Sequence, residues 1–283
     1  MKKTILTCLT LALCFAFFCS FACAVELSEI TPYGALKALE FEEQALEDNT
    51  EDSWTENNDE YKIEYDSFMS MQMALNSGRI KMMYCPVLVA EYAKKMNPNY
   101  CLDDDFGARD AFMLGLLPDR EELRDSLNTA ISELKEDGTL DALGEKYLDG
   151  NFDFVPSEPV EGRETLRVVV TGDYAPIDYV AADGTPCGYN AAFMQAVGDK
   201  LGYNIAYVCV DSSQRLMALT TGKADVIFLV MLQYQDNADG SYSVPSSEKS
   251  ILVTEPYLIC ADTDVALSQD ILDLVDEYFA DLE

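Results

Sequence analysis

Carboxyl and aromatic side chains follow closely after one strand-like run of the sequence. Residues 166–170, apolar except for Arg167, predict a buried strand, and Asp173, Tyr174, Asp178 and Tyr179 come soon after it. Ligands of α/β proteins bind at the carboxyl ends of parallel strands, so these side chains are candidates for a binding site. Carboxylates beside aromatic faces favour a cationic or amine-bearing molecule, through charge attraction and cation–π contact.

Two further groups extend the candidate site. Tyr189 and Asn190 stand at the start of the next predicted helix, and Met231, Gln233 and Tyr234 follow a second apolar strand. The alternative for each aromatic side chain is packing in the protein interior. The sequence therefore predicts ligand-binding residues at both places, and it predicts no catalytic residue, no metal site and no cofactor.

The charge and the missing histidine exclude several functions. The chain of 283 residues carries 51 Asp plus Glu against 19 Lys plus Arg and no His, which gives a net charge of −32. Nucleic acid is excluded as a partner because phosphate binding needs clustered Lys and Arg. Catalysis by Ser–His or Cys–His pairs and metal sites with His ligands are excluded because the chain has no His.

Residues 1–24 have the pattern of a secretory signal peptide. Lys2 and Lys3 precede an apolar stretch, and Ala22-Cys23-Ala24 supplies small residues for cleavage before Val25. The protein is therefore expected to be exported, to the periplasm or to the extracellular face of the cell. A retained membrane anchor and a lipid anchor at Cys23 are the alternatives.

The remaining chain contains the same strand–helix–strand pattern twice. In residues 61–84 the helix is expected between Asp66-Ser67, an N-cap signal, and Gly78, a terminating signal. In residues 205–230 the matching signals are Asp211-Ser212 and Gly222. A βαβ unit builds parallel sheet, so the predicted fold class is α/β with two similar lobes.

Breaks in composition and periodicity divide the chain into six segments. The predicted boundaries are a signal peptide (1–24), an acidic helix or loop (25–59), a lobe-two-like α/β segment (60–150), a linker with Pro and Gly (151–165), a lobe-one-like α/β segment (166–262) and a C-terminal amphipathic helix (263–283).

Several short motifs occur in a fixed order along the second α/β segment. They are Tyr174-Ala175-Pro176, Gly188-Tyr189-Asn190, the element from Leu219 to Asp225, and Thr254-Glu255-Pro256-Tyr257. In this order they resemble lobe one of the extracellular solute-binding proteins of ABC importers, in particular the polar amino-acid type. The first α/β segment (60–150), through Gly138-Thr139-Leu140, resembles lobe two of that family. The resemblance implies a two-lobed periplasmic-binding-protein-like fold, with a parallel-rich sheet flanked by helices in each lobe.

The chain departs from that family in three respects. The lobe-two-like segment comes first, which predicts either a circular permutant or a piece of a tandem array. The first strand of lobe two has no clear match between residues 25 and 60. Tyr234 and Asn237 stand where the family has a Thr and an Arg that hold a carboxylate, and Tyr84-Cys85-Pro86 lacks the family's amine-binding Asp.

The resemblance implies a binding protein, not an enzyme, that captures a small polar solute in an interlobe cleft for a membrane ABC permease. An amino acid or an amine-like molecule is the expected class of solute, although both charge anchors of a free amino acid are missing. A sensor or orphan binding module that does not transport is the alternative function. An enzyme that uses Asp173 with Asp178 or Glu255 is a further alternative. The chain is expected to be a monomer, with a domain-swapped dimer as the alternative.

Overall fold

A computed structural model describes residues 31–36, 61–104, 109–236, 242–243 and 251–280. The predicted signal peptide, including Cys23, and most of the predicted acidic segment lie outside these residues. None of the helices within them combines the length and the apolar character that a membrane span requires.

Lobe two is built mainly from the first part of the chain. Its elements are β1 (Tyr33–Leu36), β2 (Lys62–Tyr65), α1 (Phe68–Asn76), β3 (Met82–Pro86), α2 (Val87–Met96) and β4 (Cys101–Leu102). β1 pairs in parallel with both β2 and β3, so the strand order is β2-β1-β3. As predicted, Ser67 is the N-cap of α1, its Oγ accepting from the N–H of Ser70, and Gly78 follows the helix with φ +71°.

Strand β1 corrects the expectation that residues 25–59 form only helix or loop, with no first strand of lobe two. Its sequence, Tyr33–Leu36, contains no β-branched residue, so the strand depends on pairing with neighbours on both sides more than on local propensity. A glycine is required at position 34 of this strand, because a Cβ there would stand 2.6 Å from Cδ1 of Ile80.

Lobe one is built from the later part of the chain, and one long strand leads into it. It also includes the helices at 121–136 and 139–147, which contact the helix at 188–201, so the predicted lobe-two-like segment (60–150) differs from the structure over these two helices. The elements are β5 (Arg109–Leu116), α3 (Glu121–Glu136), α4 (Thr139–Tyr147), β6 (Thr165–Val170), β7 (Asp173–Tyr174), β8 (Asp178–Val180), β9 (Pro186–Cys187), α5 (Gly188–Leu201), β10 (Asn204–Cys209), α6 (Arg215–Thr220), β11 (Val226–Asp236), β12 (Tyr242–Ser243) and β13 (Leu252–Val253). β6 pairs in parallel with β10 and β11, which gives the order β10-β6-β11.

The predicted N-cap of α6 is wrong in detail. Asp211 makes no side-chain capping bond, and a 3₁₀ turn at Ser212–Gln214 precedes the helix. The predicted stop is confirmed, since Gly222 adopts φ +68° just after Thr220.

Two antiparallel strands join the lobes. β5 runs beside β11 of lobe one, and β14 (Leu258–Ala266) pairs first with β5 and then, from Asp262 onward, with β3 of lobe two. The predicted C-terminal helix, α7 (Gln269–Ala280), contacts β14 and β4. β5 and β14 are therefore the crossing strands of the molecule.

The sheet has the order β10-β6-β11-β5-β14-β3-β1-β2, so a parallel triplet lies on each side of the crossing strands. This confirms the predicted α/β class with flanking helices. The sheet itself is continuous and mixed, because the crossing strands pair antiparallel, and parallel pairing is confined to the two triplets. One buried cluster extends through both lobes and includes Met83, Phe112 and Phe193. β3 pairs with β14, and its last residue, Pro86, lies opposite Asp262. β11 pairs with β5 as far as Tyr234. The inner strand of each triplet therefore lies next to a crossing strand.

Candidate functional site

The predicted residues after β6 form a tight turn followed by a hairpin. The carboxylate of Asp178 accepts hydrogen bonds from N and Oγ1 of Thr171 (3.0 and 3.1 Å) and from N of Gly172 (3.3 Å). Asp178 is only 1% exposed, and burial raises its pKa while these hydrogen bonds act in the opposite direction. Both of its oxygens are used by its own turn, so the structure gives this candidate a local structural role.

Asp173 directs its carboxylate at lobe two. Oδ2 accepts from the N–H of Phe68 at 2.5 Å, and Oδ1 accepts from the N–H of Met69 at 3.2 Å. These N–H groups belong to the first turn of α1, where no helical partner exists and where the helix dipole is positive. Asp173 therefore bridges the lobes, at the position where a ligand anion could otherwise bind.

Two of the candidate tyrosines also lie between the lobes. Tyr174 is buried and packs edge-to-face on Phe68 of α1, with ring centroids 5.8 Å apart. Tyr179 contacts Phe152 of the linker at a centroid distance of 4.2 Å, and Phe152 also meets Tyr92 of α2 at 5.6 Å. Both candidate rings, Tyr174 and Tyr179, are thus in contact with other aromatic side chains of the same chain.

Tyr189 and Asn190 lie in the interior of lobe one. Tyr189 is 2% exposed and its ring stacks with those of Phe193 and Tyr257. Oδ1 of Asn190 accepts from Oη of Tyr257 at 3.0 Å. These contacts favour the packing alternative for both residues.

Met231, Gln233 and Tyr234 lie on the outer half of β11. Their backbones are opposite Phe112, Asp110 and Arg109 of β5, respectively. The structure therefore places all three along a crossing strand and not in a loop after a strand.

Sequence analysis missed an acidic cluster on the crossing strands. Asp110 lies on β5, Asp262 and Asp264 lie on β14, and Oη of Tyr84, from β3, donates to Oδ2 of Asp262 at 3.2 Å. Asp262 is 2% exposed, and neither its Oδ1 nor Oδ1 of Asp264 has a hydrogen-bond partner among the described residues. Burial raises the pKa of Tyr174 well above its usual value, and Asp262 and Asp110 add smaller contributions, so the cluster lies near the hairpin that carries Asp173.

Burial, with repulsion between neighbouring carboxyl groups, raises the pKa values of these acids. Burial, followed by the adjacent carboxyl of Asp110, raises the pKa of Asp262 to about 9, and burial raises the pKa of Asp110 to about 6. Burial raises the pKa of Asp264 to about 7, with smaller contributions from Asp103 and Asp276. Two close carboxyl groups cannot both ionise easily, so Asp110 and Asp262 titrate as a pair.

One signal in the sequence could have revealed this cluster. Asp262 and Asp264 are two residues apart in the run Leu258–Ala266, which otherwise has the composition of a buried strand. Residues i and i+2 of a strand share a face, so two acids at this spacing predict a local concentration of buried charge. Which face they occupy, and that Asp110 joins them, depends on the pairing of distant strands.

Metal binding is not indicated in the described part of the chain. No group of His, Cys, Asp and Glu within it has an arrangement that could hold a metal ion. The five cysteines among these residues, Cys85, Cys101, Cys187, Cys209 and Cys260, are free thiols.

Comparison with known proteins finds a match that covers lobe one and the strands that leave it. Residues 166–270 match the bacterial extracellular solute-binding proteins, family 3. The match includes the β7–β8 hairpin with Asp173 and Tyr174, and it extends through β14 with Asp262 and Asp264. No curated protein matches the chain.

Several solved structures match this chain at low identity. The ligand-binding component of an ABC-type import system from Staphylococcus aureus, with zinc bound, has 11% identity, covers 87% of this chain and 71% of its own, and gives a TM-score of 0.41. A periplasmic substrate-binding protein of an ABC transporter from Coxiella burnetii has 11% identity, with 88% and 90% coverage and a TM-score of 0.40. The alkanesulfonate-binding protein of Xanthomonas axonopodis pv. citri, bound to MOPS, has 10% identity, with 87% and 71% coverage and a TM-score of 0.38.

Proposed function

We propose that this chain is the exported solute-binding component of an ABC importer and that it captures a small amine-bearing, cationic solute between its lobes. The single observation that carries the proposed solute class is the pair of buried carboxyl groups, Asp110 and Asp262, where the crossing strands meet. The family of residues 166–270 supports the class of protein, and it supports a membrane permease as partner and a location outside the cytoplasm.

A cation would complement the charge of the acidic cluster. Neighbouring acids contribute to the raised pKa of Asp262 and Asp264, so an ammonium group placed among them would favour their ionised forms. An ammonium has three donors and no acceptor, which matches carboxylate oxygens that have no hydrogen-bond partner among the described residues. The ring of Tyr174, buried close to the same acids, offers a cation–π surface.

The order of the lobes supports a circular permutant. Strand orders β2-β1-β3 and β10-β6-β11 are equivalent, and β5 and β14 connect the two triplets in opposite directions. Each lobe therefore has its own set of core strands within one chain, with β1 in the position that sequence analysis left empty. A single chain can accordingly form a complete clamp, which favours a monomer over a domain-swapped dimer.

Thermal unfolding in the presence of small solutes tests the proposal. The probes are 1,4-diaminobutane and lysine. The neutral control for 1,4-diaminobutane is 1,4-butanediol, and the neutral control for lysine is N-acetylnorleucine amide. Sugars complete the set. A solute at 100 times its dissociation constant stabilises the native state by about 2.7 kcal/mol, which is about 5 to 10 °C for a chain of this size. We expect a shift with the amines only.

Two variants show whether the shift comes from the acidic cluster. Asp262→Asn should abolish the shift, because it removes the carboxylate on which the ammonium depends. Asp211→Asn, at an exposed position of lobe one, is the matched control and should keep it. Stabilisation by sugars or acids alone would overturn the cationic class. A cooperative transition that no solute moves would favour the sensor or orphan alternative.

A further inference from the structure

The two lobes are held together by contacts that the chain makes with itself in the cleft. At one end, Asp173 of lobe one accepts from the N–H groups of Phe68 and Met69 of lobe two. The N–H of Ser70 donates to Oγ of Ser67, and the N–H of Met71 donates to the Ser67 carbonyl. Every N–H of the first turn of α1 is therefore satisfied, and half of the set depends on a residue of the other lobe.

An aromatic side chain of the linker makes a further cross-lobe contact, in addition to the packing of Tyr174 on Phe68. Phe152 packs between Tyr179 of lobe one, at 4.2 Å between centroids, and Tyr92 of lobe two, at 5.6 Å. Next to it, Asp149 forms an ion pair with Lys95 of α2. Phe154, two residues later, packs on Tyr147 of α4 and stays within lobe one. Phe152 is thus the linker ring that spans the lobes.

We infer that Asp173 and Phe152 form an intramolecular latch that holds the lobes closed without solute and that a solute enters by displacing them. Asp173 occupies the positive end of α1 as the carboxylate of a ligand would. Phe152 covers one ring face on each side of the cleft. The part of this inference that concerns displacement by solute rests on the proposed function, whereas closure in the absence of solute does not.

Hydrogen–deuterium exchange of the full, solute-free protein tests closure. Asp173→Ala removes both acceptors, and we expect amide exchange at Phe68 and Met69 to become at least about tenfold faster, because a hydrogen bond to a charged group is lost. Loss of a local cap alone would do the same, so the second variant is decisive. Phe152→Ala leaves Asp173 in place, and it should still accelerate exchange at the same two amides if the latch opens as a unit.

Phe154→Ala is the matched control for the linker, because it removes an equal ring whose aromatic partner, Tyr147, lies in lobe one. We expect unchanged exchange at Phe68 and Met69 in this variant, and a larger radius of gyration in solution scattering only for Asp173→Ala and Phe152→Ala. Equal exchange in Phe152→Ala and the wild type, with an unchanged radius of gyration in both latch variants, would overturn the inference.

The solute arm separates failure of the latch from failure of the proposed function. If the amines bind, Phe152→Ala should bind them at least about fivefold more tightly, because no closed state has to be opened first. Binding with equal affinity in the variant and the wild type would refute displacement while leaving the proposed function intact. Open latch variants that bind no amine would refute the solute class while leaving the latch intact.

Discussion

Asp262→Asn should remove much of the pH dependence of stability that the acidic cluster imposes. A carboxyl group in the unfolded chain has a pKa of about 3.9, whereas burial and Asp110 raise the pKa of Asp262 in the folded protein to about 9. Between these two values the folded state holds a proton that the unfolded state has released. The free energy of unfolding therefore falls as the pH rises through this range, and the proton's contribution is complete only below the lower value.

The size of the effect follows from linkage. One proton held only by the folded state changes the free energy of unfolding by about 1.4 kcal/mol per pH unit. Between pH 5 and pH 8 the wild type should therefore lose up to about 4 kcal/mol through Asp262. The amide of Asn keeps nearly the same volume and cannot ionise. We expect the variant to be close to the wild type at pH 5 and more stable than it at pH 8.

Urea unfolding followed by circular dichroism at pH 5, 6, 7 and 8 measures this difference. Asp264 also has a raised pKa, about 7, so some pH dependence should remain in the variant. Asp211→Asn changes an exposed carboxyl and should follow the wild-type curve at every pH. Parallel curves for Asp262→Asn and the wild type would refute the conclusion that Asp262 is protonated in the folded protein near neutral pH.

Two further substitutions, one of them with a control, test how the turn after β6 and the start of β6 are built. Gly172→Ala should destabilise the protein by about 1–3 kcal/mol in thermal unfolding, because φ is +72° and the new Cβ would stand 2.8 Å from Val180 Cβ. Gly184→Ala, with φ +87° and no atom within 4 Å of a Cβ, should cost less, and equal losses would contradict the steric reason. Asp225→Asn should lower stability by about 1–3 kcal/mol, since both carboxylate oxygens accept from the Arg167 guanidinium (2.8 and 2.9 Å), and an unchanged midpoint would exclude a structural role for this pair.

The paired βαβ units could be predicted because their signals are local. Ser67 and Gly78 mark the ends of α1 by capping and by positive φ, and these depend only on neighbouring residues. Strand β1 could not be predicted in this way. Its four residues become a strand because β2 and β3 pair with them on both sides, and those partners lie roughly 30 and 50 residues away.

The candidate site shows the same division. The motif after β6 places Asp173 and Tyr174 at the carboxyl end of a parallel strand, which is a local feature, and in the structure both contact Phe68 of lobe two. Their role in ligand binding stays a prediction. The partner of Asp173 could not be predicted, since it is backbone of another lobe 105 residues away. Tyr189 was expected at the site from its position at a helix start, but its ring turns into the core, where stacking on Phe193 and Tyr257 buries it.

The proposed order of the lobes and the proposed latch depend on the same segment. When lobe two comes first, α4 and β6 both belong to lobe one, and the chain between them must run along the surface from one to the other. That path takes it past α2, where Asp149 pairs with Lys95 and Phe152 meets Tyr92. In a chain in which lobe one comes first, no connection would run from α4 to β6. The contact between Phe152 and Tyr92 would then be absent. The permuted order would therefore supply Phe152, the cross-lobe ring of the latch, because this residue lies on the connection between α4 and β6.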